Sequence, residues 1–162
     1  MAVTGQSDGF GVQVTVDGIR EVAAALQQID PKMKLALLST IRASVRDVAR
    51  DAQSLAPRGK TGDLIAKITV KKGRYRGGGL GYKVVSDSRE GAILELAGET
   101  NPAGLSPQGA TLIRTLNASY GSTGRFVWKA WENTKDVALE RIEGAIETAQ
   151  RRIQQKIDGA VK

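Results

Sequence analysis

The chain has 162 residues, 41% of them hydrophobic and 4% aromatic, with no Cys, no His and a net charge of +7. That length suits one domain whose core is built from Val, Ile, Leu and Ala. The missing Cys and His exclude disulfides, thiolate nucleophiles, imidazole bases and most transition-metal sites, and no run of roughly 18 apolar residues offers a membrane span.

Residues 1–9, rich in Gly and small polar types, are expected to be a flexible tail, and residues 10–162 a single domain. Val12, Val14 and Val16 alternate with Gln13 and Thr15, the period of a half-buried strand. Asp17 can cap the helix that follows, whose stripe is Ile19, Val22, Ala23, Leu26 and Ile29. Asp30-Pro31 ends this helix and starts the next, as cap and first-turn proline. That second helix should span Lys32 to Leu55, with Met33, Leu37, Ile41, Val45, Val48, Ala52 and Leu55 as its buried seam. Arg42, Arg46 and Arg50 form a ridge on another face, with Asp47 and Asp51 beside it, and solvated decoration is the simpler reading.

Pro57 and Gly59 break the helix. Ala66, Ile68 and Val70 then alternate with Lys67, Thr69 and Lys71 as a strand, and a second strand carries Leu80, Tyr82 and Val84. Together they read as an antiparallel hairpin with the tip Lys71-Lys72-Gly73-Arg74-Tyr75-Arg76-Gly77-Gly78-Gly79. Lys71, Lys72, Arg74 and Arg76 are candidates for contact with a polyanion or with a partner surface. The surrounding stretch, residues 32–83, holds thirteen positive and three negative charges, a bias that favours polyanions or acidic surfaces.

Asp87 and Glu90 have capping-box spacing before a short helix through Ala92, Ile93 and Leu96, closed by Gly98. Residues 98–124 read as a long loop around one apolar patch, Leu112-Ile113. A last helix is expected over about 126–157, with Trp131, Ala138, Ile142, Ala145, Ala149 and Ile153 as its seam. Phe126, Trp128 and Trp131 cluster at its start, as core anchor or subunit interface. These elements make an α+β fold: a small antiparallel β-sheet with a basic hairpin, packed by two long α-helices.

Gly59-Lys60-Thr61 invites a phosphate-loop reading, but that pattern needs glycine where Ser54 stands, a strand before the loop and a helix after it. A helix-to-strand turn is the better account. Asp87, Glu90, Glu95 and Glu99 cluster in sequence without the partners that hydrolysis or metal binding needs, so no enzyme activity, cofactor or metal is expected.

Three segments carry a resemblance. Ala56-Pro57-Arg58-Gly59-Lys60-Thr61-Gly62-Asp63-Leu64 ends the long helix, Ile93-Leu94-Glu95-Leu96-Ala97-Gly98 holds an acidic residue shortly before glycine, and Gly124-Arg125-Phe126-Val127-Trp128-Lys129-Ala130 opens the last helix. In this order they resemble the neck or tail-completion proteins of long-tailed bacteriophages, the lambdoid gene-product-ten-like family, over about residues 10–157. The family's proline before the phenylalanine is absent here, and the 98–124 insertion and the C-terminal helix are longer. The resemblance implies a virion structural protein, assembled in the host cytoplasm into a homo-oligomeric ring of six at the head-tail junction. It would stack against head-closure and tail-tube or terminator proteins, with double-stranded DNA in its lumen. A tail terminator ring of the same assembly, or a free-standing basic nucleic-acid-binding module, are the alternatives.

Overall fold

The computed structural model describes residues 3–7, 11–16, 19–58, 62–74, 80–97 and 106–160. Ten elements follow in chain order: β1 (Val3–Ser7), β2 (Gly11–Val16), α1 (Ile19–Ile29), α2 (Pro31–Leu55), α3 (Asp63–Ala66), β3 (Ile68–Arg74), β4 (Leu80–Ser86), α4 (Arg89–Leu96), α5 (Pro107–Tyr120) and α6 (Val127–Ala160). The strands form one antiparallel sheet in the order β1-β2-β4-β3, so the α+β class stands and, among the described residues, the hairpin's β3 is an edge strand.

The two long helices make the other layer. α2 and α6 run antiparallel, tied at their ends and middle by Asp30 to Arg152, Asp47 to Arg141 and Asp51 to Asn133. Between them and the sheet lies one core: Leu37, Ile41, Val45, Val48 and Ala52 of α2, Phe126, Trp131, Ile142, Ile146 and Ala149 at and along α6, and Ile68 and Val84 of the hairpin. α1 closes the far end of the helix pair by burying Ile19, Val22 and Leu26. The expected seam of α2 matches this core, with Met33 and Leu55 half-buried at its ends. On α6 the seam shifts: Ile146 is buried, while Ala145 and Ile153 are half-buried at its margin.

Asp30 caps α2 as its position before Pro31 dictates, its Oδ1 accepting from the Met33 N–H at 3.1 Å. That bond, reinforced by Arg152, holds the Asp30 carboxyl below its ordinary value. A carboxylate depressed by folding stabilises above its unfolded value and loses that contribution as pH falls through the folded one. Acid titration followed by circular dichroism should therefore show a loss of stability below about pH 4 that is smaller in Asp30→Asn.

Four sequence expectations need correction. The supposed tail contains β1, whose Val3 to Ser7 pair with Val16 to Val12 of β2; the strand lacks the alternation that would mark it. Within the supposed 98–124 loop, Pro107–Tyr120 form α5, opened by Ser106, whose Oγ accepts from the Gly109 N–H at 3.2 Å. Ala66 belongs to the single helical turn α3, which follows Gly62 in the left-handed region at φ 71, so β3 starts at Ile68. A helical turn thus does follow the Gly-Lys-Thr tract, but α2 and no strand precedes it, and the phosphate-loop topology still fails. Finally, Ser88 and not Asp87 caps α4, its Oγ accepting from the Gly91 N–H at 2.8 Å. The Asp17 cap and the closing Gly98 lie outside the described residues.

Gly91 sits where α4 presses onto the end of β4. A Cβ there would come within 2.6 Å of Ser88 Oγ and 2.7 Å of Leu64 Cδ1, besides meeting the buried Ser86 Oγ. Gly91→Ala should destabilise the fold by about 1–3 kcal/mol, measurable as a lower urea midpoint with unchanged slope.

Candidate assembly surface

The described parts of the three signature segments, far apart in sequence, meet at one corner of the molecule. α2 stops at Leu55, with the Ala56 N–H still donating to Ala52 O at 3.0 Å and Pro57 turning the chain away. α4 ends beside it, because Gly124 N–H donates to Glu95 O at 2.8 Å and holds the start of α6 against the short helix.

Two charged side chains lock this corner by capping helices other than their own. Glu95, 6% exposed, aims its carboxylate at the first turn of α6: Oε2 accepts from the N–H groups of Phe126 and Val127 at 2.9 and 3.3 Å, and Oε1 from Trp128 at 3.0 Å. Those N–H groups have no partner within their helix, and the helix N-terminus favours an anion. Arg125, also 6% exposed, does the converse at two helix C-termini. Its Nη1 donates to Leu94 O at 2.5 Å and its Nη2 to Ala97 O at 2.8 Å, at the end of α4. Its Nε donates to Gly121 O at 3.0 Å and its Nη2 to Asn117 Oδ1 at 2.6 Å, at the end of α5. One carboxylate and one guanidinium thus bind α4, α5 and α6 together, each buried charge matched by hydrogen bonds.

Two clefts flank the corner and share Pro57 and Leu94. One, of about 330 Å³, runs past Tyr120 and Phe126 to Lys129; the other, of about 360 Å³, passes between Arg58 and Lys67 to Ser88 and Glu90. The first cleft carries Lys129 and Arg125 as its charged lining, whereas in the second Arg58 and Lys67 stand with Asp63 and Glu90.

The aromatic trio divides. Phe126 and Trp131 are buried in the core, whereas Trp128, 37% exposed, turns outward against Gly124. Ile93, Leu112 and Tyr120 are other large apolar side chains exposed on α4 and α5.

The basic hairpin divides as well. Residues facing each other across antiparallel strands share a face, and the period of two puts Lys71 on the opposite face from Lys72. Lys71 lies in a polar row with Lys83, Gln13 and Gln6, and its Nζ pairs with Asp87 at 2.7 Å. Lys72, opposite Tyr82, is exposed at the end of the core face. The Arg74 side chain and all of Arg76 lie outside the described residues. Lys71 and Lys72 therefore do not share a face, and Lys71 already has a partner.

Sequence reasoning noticed Arg125 only within a short motif, and Glu95 within another and within a carboxylate cluster. Their pairing of helix ends was missed, and the available clue was a carboxylate near the end of one helix with an Arg-aromatic pair opening another. Among the described residues no group of three or more Asp, Glu, His or Cys side chains could hold a metal ion. No described helix is long and apolar enough to cross a membrane. Comparison with protein families, with curated proteins and with solved structures found no match.

Proposed function

We propose that the chain is a structural subunit of a tailed-bacteriophage virion, closing into a ring at the head-to-tail junction as a neck or tail-completion layer. Double-stranded DNA passes through the bore without being read in sequence, and head-closure and tail-tube or terminator proteins stack above and below.

The observation that supports this best is the meeting of the three signature segments. Glu95 from the second segment and Arg125 from the third hold each other's helix ends, and Pro57 of the first packs beside Leu94. Residues that resemble a family pattern are thus gathered at one corner of the fold. β3 is an edge strand among the described residues, and beyond Ile68, whose O accepts from Gln53 Nε2, its outer main-chain groups can be completed by a neighbouring subunit. The excess of cations in residues 32–83 then serves contact with DNA or with an acidic ring, not chemistry.

Native mass spectrometry and negative-stain imaging of the purified chain test this directly. A closed ring with an opening wide enough for duplex DNA is expected, with weak DNA binding by the unassembled chain. A chain that stays monomeric and binds DNA tightly, with a steep logarithmic dependence on salt, would instead be the free-standing nucleic-acid module.

A further inference from the structure

The two long helices carry opposite charges on opposite flanks. On α2, Arg42, Arg46 and Arg50 recur every four residues, all exposed, and at 100° per residue they lie within an arc of about 80°. On α6, Asp136, Glu140, Glu143 and Glu147 recur at spacings of four, three and four, again all exposed and within an arc of about 60°. The rows run for roughly 12 and 16 Å along their helices.

Their placement follows from the contacts between the helices. Asp47 and Asp51 of α2 reach Arg141 and Asn133 of α6, which marks the solvent-side seam of the pair. At 100° per residue the middle of the arginine row lies about 120° around α2 from Asp47 and Asp51, and the middle of the acidic row lies about 130° around α6 from Arg141 and about 50° from Asn133. The buried residues of each helix occupy the remaining arc. The cationic and anionic rows therefore lie on the solvent side of the helical layer, each tilted toward the outer flank of its own helix.

Within the chain these charges are mostly unused. Arg50 makes an exposed pair with Asp47 at 3.3 Å, but no hydrogen bond or ion pair engages Arg42, Arg46, Asp136, Glu140, Glu143 or Glu147 among the described residues. Beside Glu143 stands Gly144, in the middle of a 34-residue helix, where an added Cβ would meet nothing within 4 Å. Nothing in the chain's own packing requires a glycine there, although it weakens a helix interior. A missing side chain at that position leaves room for a surface from outside to come close.

We infer that the arginine row of α2 on one copy docks against the acidic row of α6 on the next copy, in a head-to-tail contact. The occupant of each flank is a second copy of this chain, because each row finds on the other flank a row of opposite sign and similar length. Such a contact is heterologous: it uses two different patches per subunit, and it generates a ring when the rotation between copies closes. The inference rests on the ring-forming role proposed above and names the surface that would build it.

Charge reversal tests it on the full chain, by sedimentation velocity in low-salt buffer. R42E/R46E/R50E and E140K/E143K/E147K should each fold normally by circular dichroism, since all six positions are exposed, and should each associate roughly a hundredfold more weakly than the parent. Mixing the two variants should restore association, because each then supplies the row the other lacks, and salt near about 1 M should weaken the parent. If a reversal fails to fold, the neutral R42Q/R46Q/R50Q and E140Q/E143Q/E147Q variants carry the same test. An oligomeric parent whose reversed variants assemble unchanged would overturn the charged contact and leave the ring standing. A parent that is monomeric throughout would overturn both.

Discussion

Replacing Glu95 with alanine should cost about 3–5 kcal/mol, a large share of the stability of a domain this size. Three N–H groups at the start of α6 would lose their acceptor, two of them on buried residues, and water would have no easy access to replace it. Glu95→Gln keeps the shape but turns one acceptor into a donor, so it should recover only part of the loss. Arg125→Lys probes the other half of the corner. A lysine ammonium cannot span Leu94 O, Ala97 O, Asn117 Oδ1 and Gly121 O as the planar guanidinium does, and about 2 kcal/mol should be lost. Urea unfolding of the three variants, checked for an unchanged slope, would measure both effects. A Glu95→Ala chain as stable as the parent would show that the cross-helix caps are incidental.

Phe126→Ala should be comparably damaging, at about 3–5 kcal/mol, because Phe126 is the largest fully buried side chain of the described chain and sits where α6 enters the core. Trp128→Ala, two residues on, should cost the isolated chain less, about 1–2 kcal/mol, since 37% of the residue is exposed. Its main effect should fall on self-association, where an exposed tryptophan is a strong anchor. Thermal unfolding and sedimentation of the two variants separate these roles. A Trp128→Ala chain that unfolds as easily as Phe126→Ala would place the tryptophan in the core after all.

Much of the fold is legible in residue order. α2 follows from its 3.6-residue stripe and from Asp30-Pro31, because a cap and a first-turn proline act locally. The hairpin follows from alternation on either side of a glycine-rich tip. By contrast α5 hides among Gly, Pro, Ser and Thr, and it buries only Leu116, so its stripe is faint. Its opening, Ser106-Pro107, repeats the device of Asp30-Pro31 and was a readable signal. β1 hides for a different reason: Val3 to Ser7 form a strand through pairing with β2, a partner that local composition does not name.

The candidate site was less legible, and the cause is the distance between its parts. Residue types alone decide that this chain has no thiol or imidazole chemistry, that its elements are two long helices and a hairpin, and that cations crowd into residues 32–83. Those properties depend on composition and on contacts within a few residues. Only the packed chain decides that Glu95 and Arg125, some thirty residues apart, cap each other's helix ends, that Lys71 and Lys72 part to opposite faces of the sheet, and that the charged rows of α2 and α6 are left exposed on the solvent side. Helical and strand periods place charges on faces, but which face meets water is settled by the partner each element buries itself against.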